Sequence, residues 1–512
     1  MRYLVCIGLL FVVMYGLGAQ PGIQWQKNLG GNLSDEGTKI LQTDDGGFIL
    51  SGRSYSNNGD VSGNHGAADY WILKLTFDGI LDWQKSFGGS GNERCNAISL
   101  TSDDGYILAG QASSNNGQVS GNHGDIDCWI VKLDKFGVLE WQRCYGGSNW
   151  DEASSVVQTN DGGYAFAGRV SSGDGDVFGY HGAFDFWVVK INSSGEIEWQ
   201  KPIGGTGVDI CYSIKQTLDG GYIVNGESNS NDGDASGLIG SSDYWVVKLS
   251  SSGEIEWQKM LGSSSLDRGN DIVQLPTGEY LAFGHISWGD GNVTLAYNGY
   301  DYWVAKLSNT GEIIWQHTYG GTGEDFSSQI NLTKDGGFIM VGSTNSKDGD
   351  ITDNNGGVEY LIMKADSLGQ LQWQKTLGGT MADRAFGGIQ TADEGFILTG
   401  YSWSNNGDVG GNKGENDFWI VKLAPETSTT STPTIIPLNL YPNPASHWIT
   451  LNLPIIEQDM QVNTTDDQGK LIQSRIIRTD EKLDISAHPP GIYWVSAVSK
   501  SGQVYAGKFV KN

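Results

Sequence analysis

Apolar and polar residues alternate along the chain in short runs, and the whole pattern restarts every 58 residues. In the first copy an alternating run over 37–42 ends at the turn Asp44-Asp45-Gly46-Gly47, and 48–52 returns. A polar loop over 54–68 follows. Then come an apolar run over 70–75, a turn at Phe77-Asp78-Gly79, and a last run over 81–87. Short alternating runs bounded by Gly, Asn and Asp are β-hairpin signals. Two hairpins per copy make one four-stranded antiparallel sheet.

The repeat is marked by Trp-Gln at Trp25, Trp83, Trp141, Trp199, Trp257, Trp315 and Trp373. A second mark, Trp followed by two apolar residues and Lys, recurs at Trp71, Trp129, Trp187, Trp245, Trp303 and Trp419, with Leu361 in the remaining copy. Four strands per unit at this period predict a propeller, since a solenoid repeat is much shorter. A lone run over 23–29 opens the array, and 418–423 closes it without a following partner. Pairing these two removes both free edges. The expected fold is therefore all-β: a seven-bladed β-propeller over 20–424 closed by the N-terminal outer strand. A Ser/Thr/Pro linker over 425–437 and a small β-sandwich over 438–512 follow it.

Charge suggests a register for the outer hairpin. If third and fourth strands pair so that Lys132 faces Glu140, then Lys74 faces Asp82, Lys190 faces Glu198 and Lys248 faces Glu256. Each opposed pair is worth roughly 0.2–1 kcal/mol. This reads as a structural, solvated edge. The same register sets Cys128 against Cys144 and predicts a Cys128–Cys144 disulfide in an oxidising compartment, with Cys95 and Cys211 as buried thiols.

Composition narrows the partners. The 512 residues include 75 Gly and 11 Pro and carry a net charge of −27. Such a surface repels phosphate, so nucleic acid is not an expected partner; cations, polar glycans and basic proteins fit better. Arg2, an apolar run over 4–17 and the small pair Gly18-Ala19 read as a signal peptide, 1–19. No later segment is apolar enough to span a membrane.

Two resemblances follow. Leu133-Asp134-x-x-Gly137-x-x-x-Trp141 resembles quinoprotein-like propeller repeats, in which a turn glycine precedes a tryptophan docked between blades. This implies the fold. The tail resembles the C-terminal sorting domain (type A) of type IX secretion cargo, through Leu440-Tyr441-Pro442-Asn443-Pro444, Asp467-x-Gly469, Gly491-Ile492-Tyr493 and Lys508. That resemblance implies passage through the periplasm and across the outer membrane, recognition by the secretion machinery, and release or attachment at the cell surface.

Candidate chemistry is expected on the face shared by the long loops. Acids recur there at Asp35, Glu93, Asp151, Asp209, Asp267, Asp325 and Asp383, and at Asp69, Asp127, Asp185, Asp243, Asp301, Glu359 and Asp417. Their sevenfold repetition favours capping of loop N–H groups over catalysis. Asp174-Gly175-Asp176, Asp232-Gly233-Asp234 and Asp348-Gly349-Asp350 are either Asx-Gly turns or oxygen-rich calcium loops. His65, His123 and His181 hold equal places in three adjacent copies and read as loop residues. Trp150, Trp288 and Trp403 have no Trp counterpart in other copies and are candidate platforms for sugar rings. No nucleophile–base triad or metalloprotease motif appears, and no catalytic residue is assigned. The expected function is a secreted or cell-surface binding protein for a glycan or protein ligand. A polysaccharide-active lyase or glycosidase and a passive structural protein are the alternatives, with calcium the one cofactor considered.

Overall fold

The computed structural model describes residues 20–426 apart from 288, 295, 296, 298 and 355, and in the tail 436–452, 460–466, 471–477, 482–498 and 504–512. The leader, Trp288, Asp467, Gly469 and most of the linker lie outside the described residues. The chain divides after Glu426 into two compact units.

The first unit consists of seven four-stranded antiparallel sheets. In the first sheet the strands are Asp35–Gln42, Phe48–Ser54, Asp69–Leu75 and Leu81–Phe87, in that spatial order. The first strand of each sheet touches the first strand of the next or the strand beside it, and Asp35–Gln42 in turn touches Asp383–Gln390 of the last sheet. The sheets thus form a closed ring with first strands at the axis and fourth strands at the rim. Ile23–Leu29 supplies the missing rim strand of the last sheet by pairing with Asp417–Leu423, Ile23 opposite Leu423 and Leu29 opposite Phe418. The propeller closes as its unmatched ends require.

The repeat marks explain each other. Third strands such as Asp127–Leu133 are buried throughout, because neighbouring blades cover both faces. Their tryptophans are among the largest fully buried side chains. Each buried indole still needs an acceptor. Trp129 Nε1 donates to Gln142 Oε1 at 2.7 Å, and the same bond links Trp71 to Gln84, Trp187 to Gln200 and Trp245 to Gln258. Trp-Gln on the fourth strand thus serves the tryptophan of the third. Where Leu361 replaces that tryptophan, the buried Gln374 Oε1 has no partner. The turn glycine is equally specific. Gly137 has φ +73°, and a Cβ there would lie 2.8 Å from the Trp83 ring of the preceding blade.

The outer register differs from the charge-based expectation. Lys132 pairs with Trp141 and Leu133 with Leu139, so a bulge at Glu140 shifts the rest of the strand by one residue. Lys132 still reaches Glu140 at 2.9 Å, as Lys190 reaches Glu198 and Lys248 reaches Glu256. These lysines are buried, however, and their second partner was missed. It is the aspartate of the inner hairpin turn, Asp103 at 2.9 Å from Lys132. Lys74 is paired to Asp45 in this way and not to Asp82. Partial burial opposes ionisation of Asp103. The Thr101 hydroxyl, the Lys132 ammonium and the Gly105 N–H outweigh it and pull the carboxyl down to about 2.

The same shift overturns the Cys128–Cys144 disulfide. Cys128 lies opposite Tyr145, and Cys144 opposite Trp129. A one-residue slip sends a side chain to the other face. Cys128 accordingly packs with Tyr145, Phe166 and Trp187, and Cys144 with Tyr70, Cys95 and Trp129 on the opposite side of the sheet. All four described cysteines are free and buried.

The second unit carries a five-stranded and a three-stranded sheet over one apolar core, which includes Leu438, Ile449, Leu483, Tyr493 and Phe509. Its longer strands are Trp448–Asn452, Met460–Asp466, Leu471–Ile477, Gly491–Val498 and Val504–Lys511. The described residues include no helix long and apolar enough to cross a membrane.

Candidate functional site at the mouth of the central channel

All seven first strands contribute to a cavity of about 540 Å³ on the axis of the ring. They enter it just after the repeated acids Asp35, Glu93, Asp151 and their equivalents. The next position varies from blade to blade: Glu36, Arg94, Glu152, Ile210, Arg268, Phe326 and Arg384. Two residues further in stand Thr38, Asn96, Ser154, Tyr212, Asn270, Ser328 and Phe386. The facing positions on the second strands are Arg53, Gln111, Arg169, Glu227, His285, Ser343 and Tyr401. Sheet pairing therefore gathers three variable columns of the repeat into one ring. The sequence signal was available, as columns of the 58-residue repeat in which no residue type recurs throughout.

Several of these side chains neutralise one another. Arg53 Nε and Nη2 donate to Glu36 at 3.1 and 3.0 Å, and Arg268 makes the same fork to Glu227 at 3.1 and 3.0 Å. Arg169 reaches Glu152 at 2.6 Å. The Tyr212 hydroxyl donates to Glu227 at 2.7 Å, and the Arg268 guanidinium lies 4.9 Å from the Tyr212 ring. His285 packs between Tyr300 and Phe326, with Nδ1 3.0 Å from the Ser327 hydroxyl. Burial, aided by Arg268, drives its pKa to about 3, so it is a neutral ring at physiological pH. Deeper in, Lys39 is pulled down to about 8 by burial and by Lys215, with Asp271 opposing.

The acids of the long-loop face cap backbone. Asp35 accepts from Gly31 N at 2.7 Å and from the Ser56 hydroxyl at 2.9 Å, and also bonds Ser54. The Asp127 carboxylate accepts from His123 N at 3.0 Å and lies 2.7 Å from the same imidazole, and His65 and His181 are held alike in their own blades. The three histidines are thus each committed locally. Acids of adjacent blades converge on the first glycine of each Gly-Gly pair. At Gly204 a Cβ would lie 2.6 Å from both Asp185 Oδ1 and Asp209 Oδ2. Burial raises Asp127, Asp185 and Asp267 to about 6 and Asp301 to about 7.

The expected calcium residues are engaged the same way. Asp174, Asp232 and Asp348 accept from Ser148, Thr206 and Thr322 N at 2.7–2.8 Å. Asp176, Asp234 and Asp350 accept from Gly146, Gly204 and Gly320 N at 3.1–3.4 Å. Among the described residues no three His, Cys, Asp or Glu side chains are arranged to hold a metal. Trp150 is 38% exposed, with the Arg169 guanidinium 4.1 Å above its ring, and Trp403 is 45% exposed. Neither lines the channel cavity, and no ring contact joins them.

In the tail, the motif residues gather around the last strand. Asn443 Nδ2 donates to Lys508 O at 3.0 Å, and Val510 N donates to Asn443 Oδ1 at 2.9 Å. The peptide bonds before Pro442 and Pro444 are cis, and Tyr441 is exposed. Tyr493 stacks on Phe509 with centroids 5.4 Å apart. Gly491 lies opposite Lys511, and Lys508 stands over Trp494 at 5.9 Å. Residues 439–512 match the family described as the secretion system C-terminal sorting domain. The sorting domain marks this protein for export by type IX secretion to the cell surface or extracellular space, and implies contact with that machinery.

The rest of the chain has remote likenesses. The regulatory protein FlaEY of Caulobacter vibrioides is 22% identical over 410 residues, covering 71% of this chain but 42% of that protein. The chain therefore spans less than half the length of that relative. Among solved structures, the Neurospora crassa Pan2 WD40 domain aligns over 78% of this chain and 95% of its own, with 10% identity and a TM-score of 0.45. A puromycin hydrolase aligns over 96% of this chain and 69% of its own, with 9% identity and a TM-score of 0.45.

Proposed function

We propose that the protein is an exported binding protein whose ligand, a glycan or a protein, seats in the mouth of the propeller channel. The observation behind this is the ring of non-repeating residues around a cavity of about 540 Å³. Cavities of this size with convergent polar and aromatic groups suit small ligands or single side chains. Glu36, Glu152 and Glu227 are each tied to an arginine. This favours holding a ligand over the free acid and base of glycoside hydrolysis. Trp150 and Trp403 are then peripheral contacts at most.

Blocking the mouth tests the reading. Ser154 lines the cavity, and Ser194 sits on an exposed outer turn. On an array of glycans and extracellular proteins, Ser154→Trp should abolish the signals of the full-length protein and Ser194→Trp should keep them. Signals that survive Ser154→Trp would put the ligand elsewhere.

A further inference from the structure

The mouth carries charge of the sign opposite to the molecule. Residues 20–426 contain six arginines in a chain of net charge −27: Arg53, Arg94, Arg143, Arg169, Arg268 and Arg384. Arg143 is on a rim strand, paired with Glu196. The other five all stand on the first two strands of their sheets, around the mouth. Glu36, Glu152 and Glu227 neutralise three of them. Arg94 and Arg384 have no carboxylate partner among the described residues, although both line the cavity. Arg94 Nε is enclosed and makes no hydrogen bond.

These two arginines stand two sheets apart in the ring. Arg384 belongs to the last sheet and Arg94 to the second, so they flank the Glu36–Arg53 pair of the first. Arg384 faces Tyr401 on the last sheet and Glu36 faces Arg53 on the first, so with Arg94 on the second these side chains share one sector of three successive sheets. Lys39 lines the same side further in. Across the cavity stand Tyr212 and Tyr300, with the Ser327 hydroxyl donating to the Asn270 amide oxygen nearby, and Phe326 joins the two sides with the Arg384 guanidinium 5.7 Å from its ring.

A guanidinium at the wall of a cavity, with no carboxylate beside it, is an unfinished interaction. Its planar fork matches a carboxylate or sulfate in two parallel hydrogen bonds. The acidic body repels anions at a distance, so a basic sector serves short-range recognition and not general attraction. Flat rings and neutral hydroxyl and amide groups opposite the charge suit a ring-shaped, hydroxyl-rich ligand better than an extended acidic peptide. We propose that the channel mouth binds an acidic saccharide, its carboxylate or sulfate held by Arg94 and Arg384 and its ring against the aromatic side. The proposal rests on the mouth being the ligand seat, and it names the ligand class.

Calorimetry on the full-length protein separates the two ideas. The probes are galacturonate and sulfated galactose oligomers, the matching neutral galactose oligomers, and a hexaglutamate peptide. Acidic oligomers should bind, and Arg94→Gln/Arg384→Gln should weaken them at least tenfold, with Arg143→Gln unchanged. Should the double variant not fold, Arg94→Lys and Arg384→Lys singly should each weaken binding measurably, since they keep charge and lose the fork. No binding of either acidic oligomer, or equal binding by the arginine variants, overturns the proposal. Preference for hexaglutamate overturns the saccharide class. Neutral oligomers lost on Ser154→Trp but kept by the arginine variants overturn the charge assignment and leave the mouth as the seat. Acidic binding indifferent to both Ser154→Trp and the arginine changes overturns both ideas.

Discussion

The outer hairpins and the channel mouth obey opposite rules within the same sheets. On the outer side Trp129 answers to Gln142, Lys132 to Asp103 and Gly137 to Trp83, and most blades repeat these pairs. Changing one member strands its partner, as Leu361 strands Gln374. At the mouth, Glu36, Arg94, Ile210 and Phe326 occupy one column, and the fold is indifferent to which residue stands there. The repeat shows what the fold requires, and its failures show where the fold leaves freedom for a ligand.

The largest test of that contrast is removal of the closing strand. Deleting residues 20–29 leaves Asp417–Leu423 as a bare edge on the last sheet. Aggregation should appear in light scattering. A monomeric variant with unchanged melting temperature would refute the closure.

Next comes a pair of substitutions, one in each region. Trp129→Ala should cost about 3–5 kcal/mol in denaturant unfolding, the range for emptying a buried tryptophan site. Arg94→Gln should stay within about 0.5 kcal/mol, as for substitutions away from packed features. Equal losses would erase the distinction between shell and mouth.

A smaller effect is expected from pH. Burial holds Asp127, Asp185, Asp267 and Asp417 near 6 and Asp301 near 7, above the ~3.9 of an unfolded aspartate. The folded protein thus binds more protons than the unfolded chain between these values. That stabilisation is full below pH ~4 and is lost as pH rises through 6 to 7. Asp45, Asp103, Asp161 and Asp219, held near 2 by hydrogen bonds and lysines that outweigh burial, work in the other direction. Their contribution is present above pH ~4 and is lost on acidification. Melting temperature should peak at about pH 4–5 and decline on both sides. A flat profile from pH 5 to 8 would mean the junction acids ionise freely.

The smallest effect concerns the thiols. With Cys128 and Cys144 on opposite faces, reductant should leave the melting temperature unchanged, and all four described cysteines should label only after unfolding. Mass spectrometry of a Cys128–Cys144 linked peptide would contradict the register.

Much of this architecture was legible because a repeat reports its own errors. Strand order and closure follow from the spacing of the repeat, and the sorting tail from the resemblance of its motifs. The outer register was misjudged because the bulge at Glu140 leaves the lysine–glutamate contact intact while shifting every later residue by one. A long side chain spans such a shift and a cysteine does not. The buried lysines looked solvated for the same reason, since their partner Asp103 lies on another hairpin. The mouth is not legible in the sequence because its lining residues are of ordinary types, marked only by varying from blade to blade, whereas the unusual tryptophans Trp150 and Trp403 lie outside it.

Closure also sets a schedule for synthesis. Ile23 leaves the ribosome near the start, and its partner Leu423 follows 400 residues later. At ~5–20 residues per second the first strand waits about 20–80 s with its hydrogen-bonding edge unmet. During that interval any other nascent copy offers the same partner. The last blade is therefore where two molecules are most easily exchanged for one.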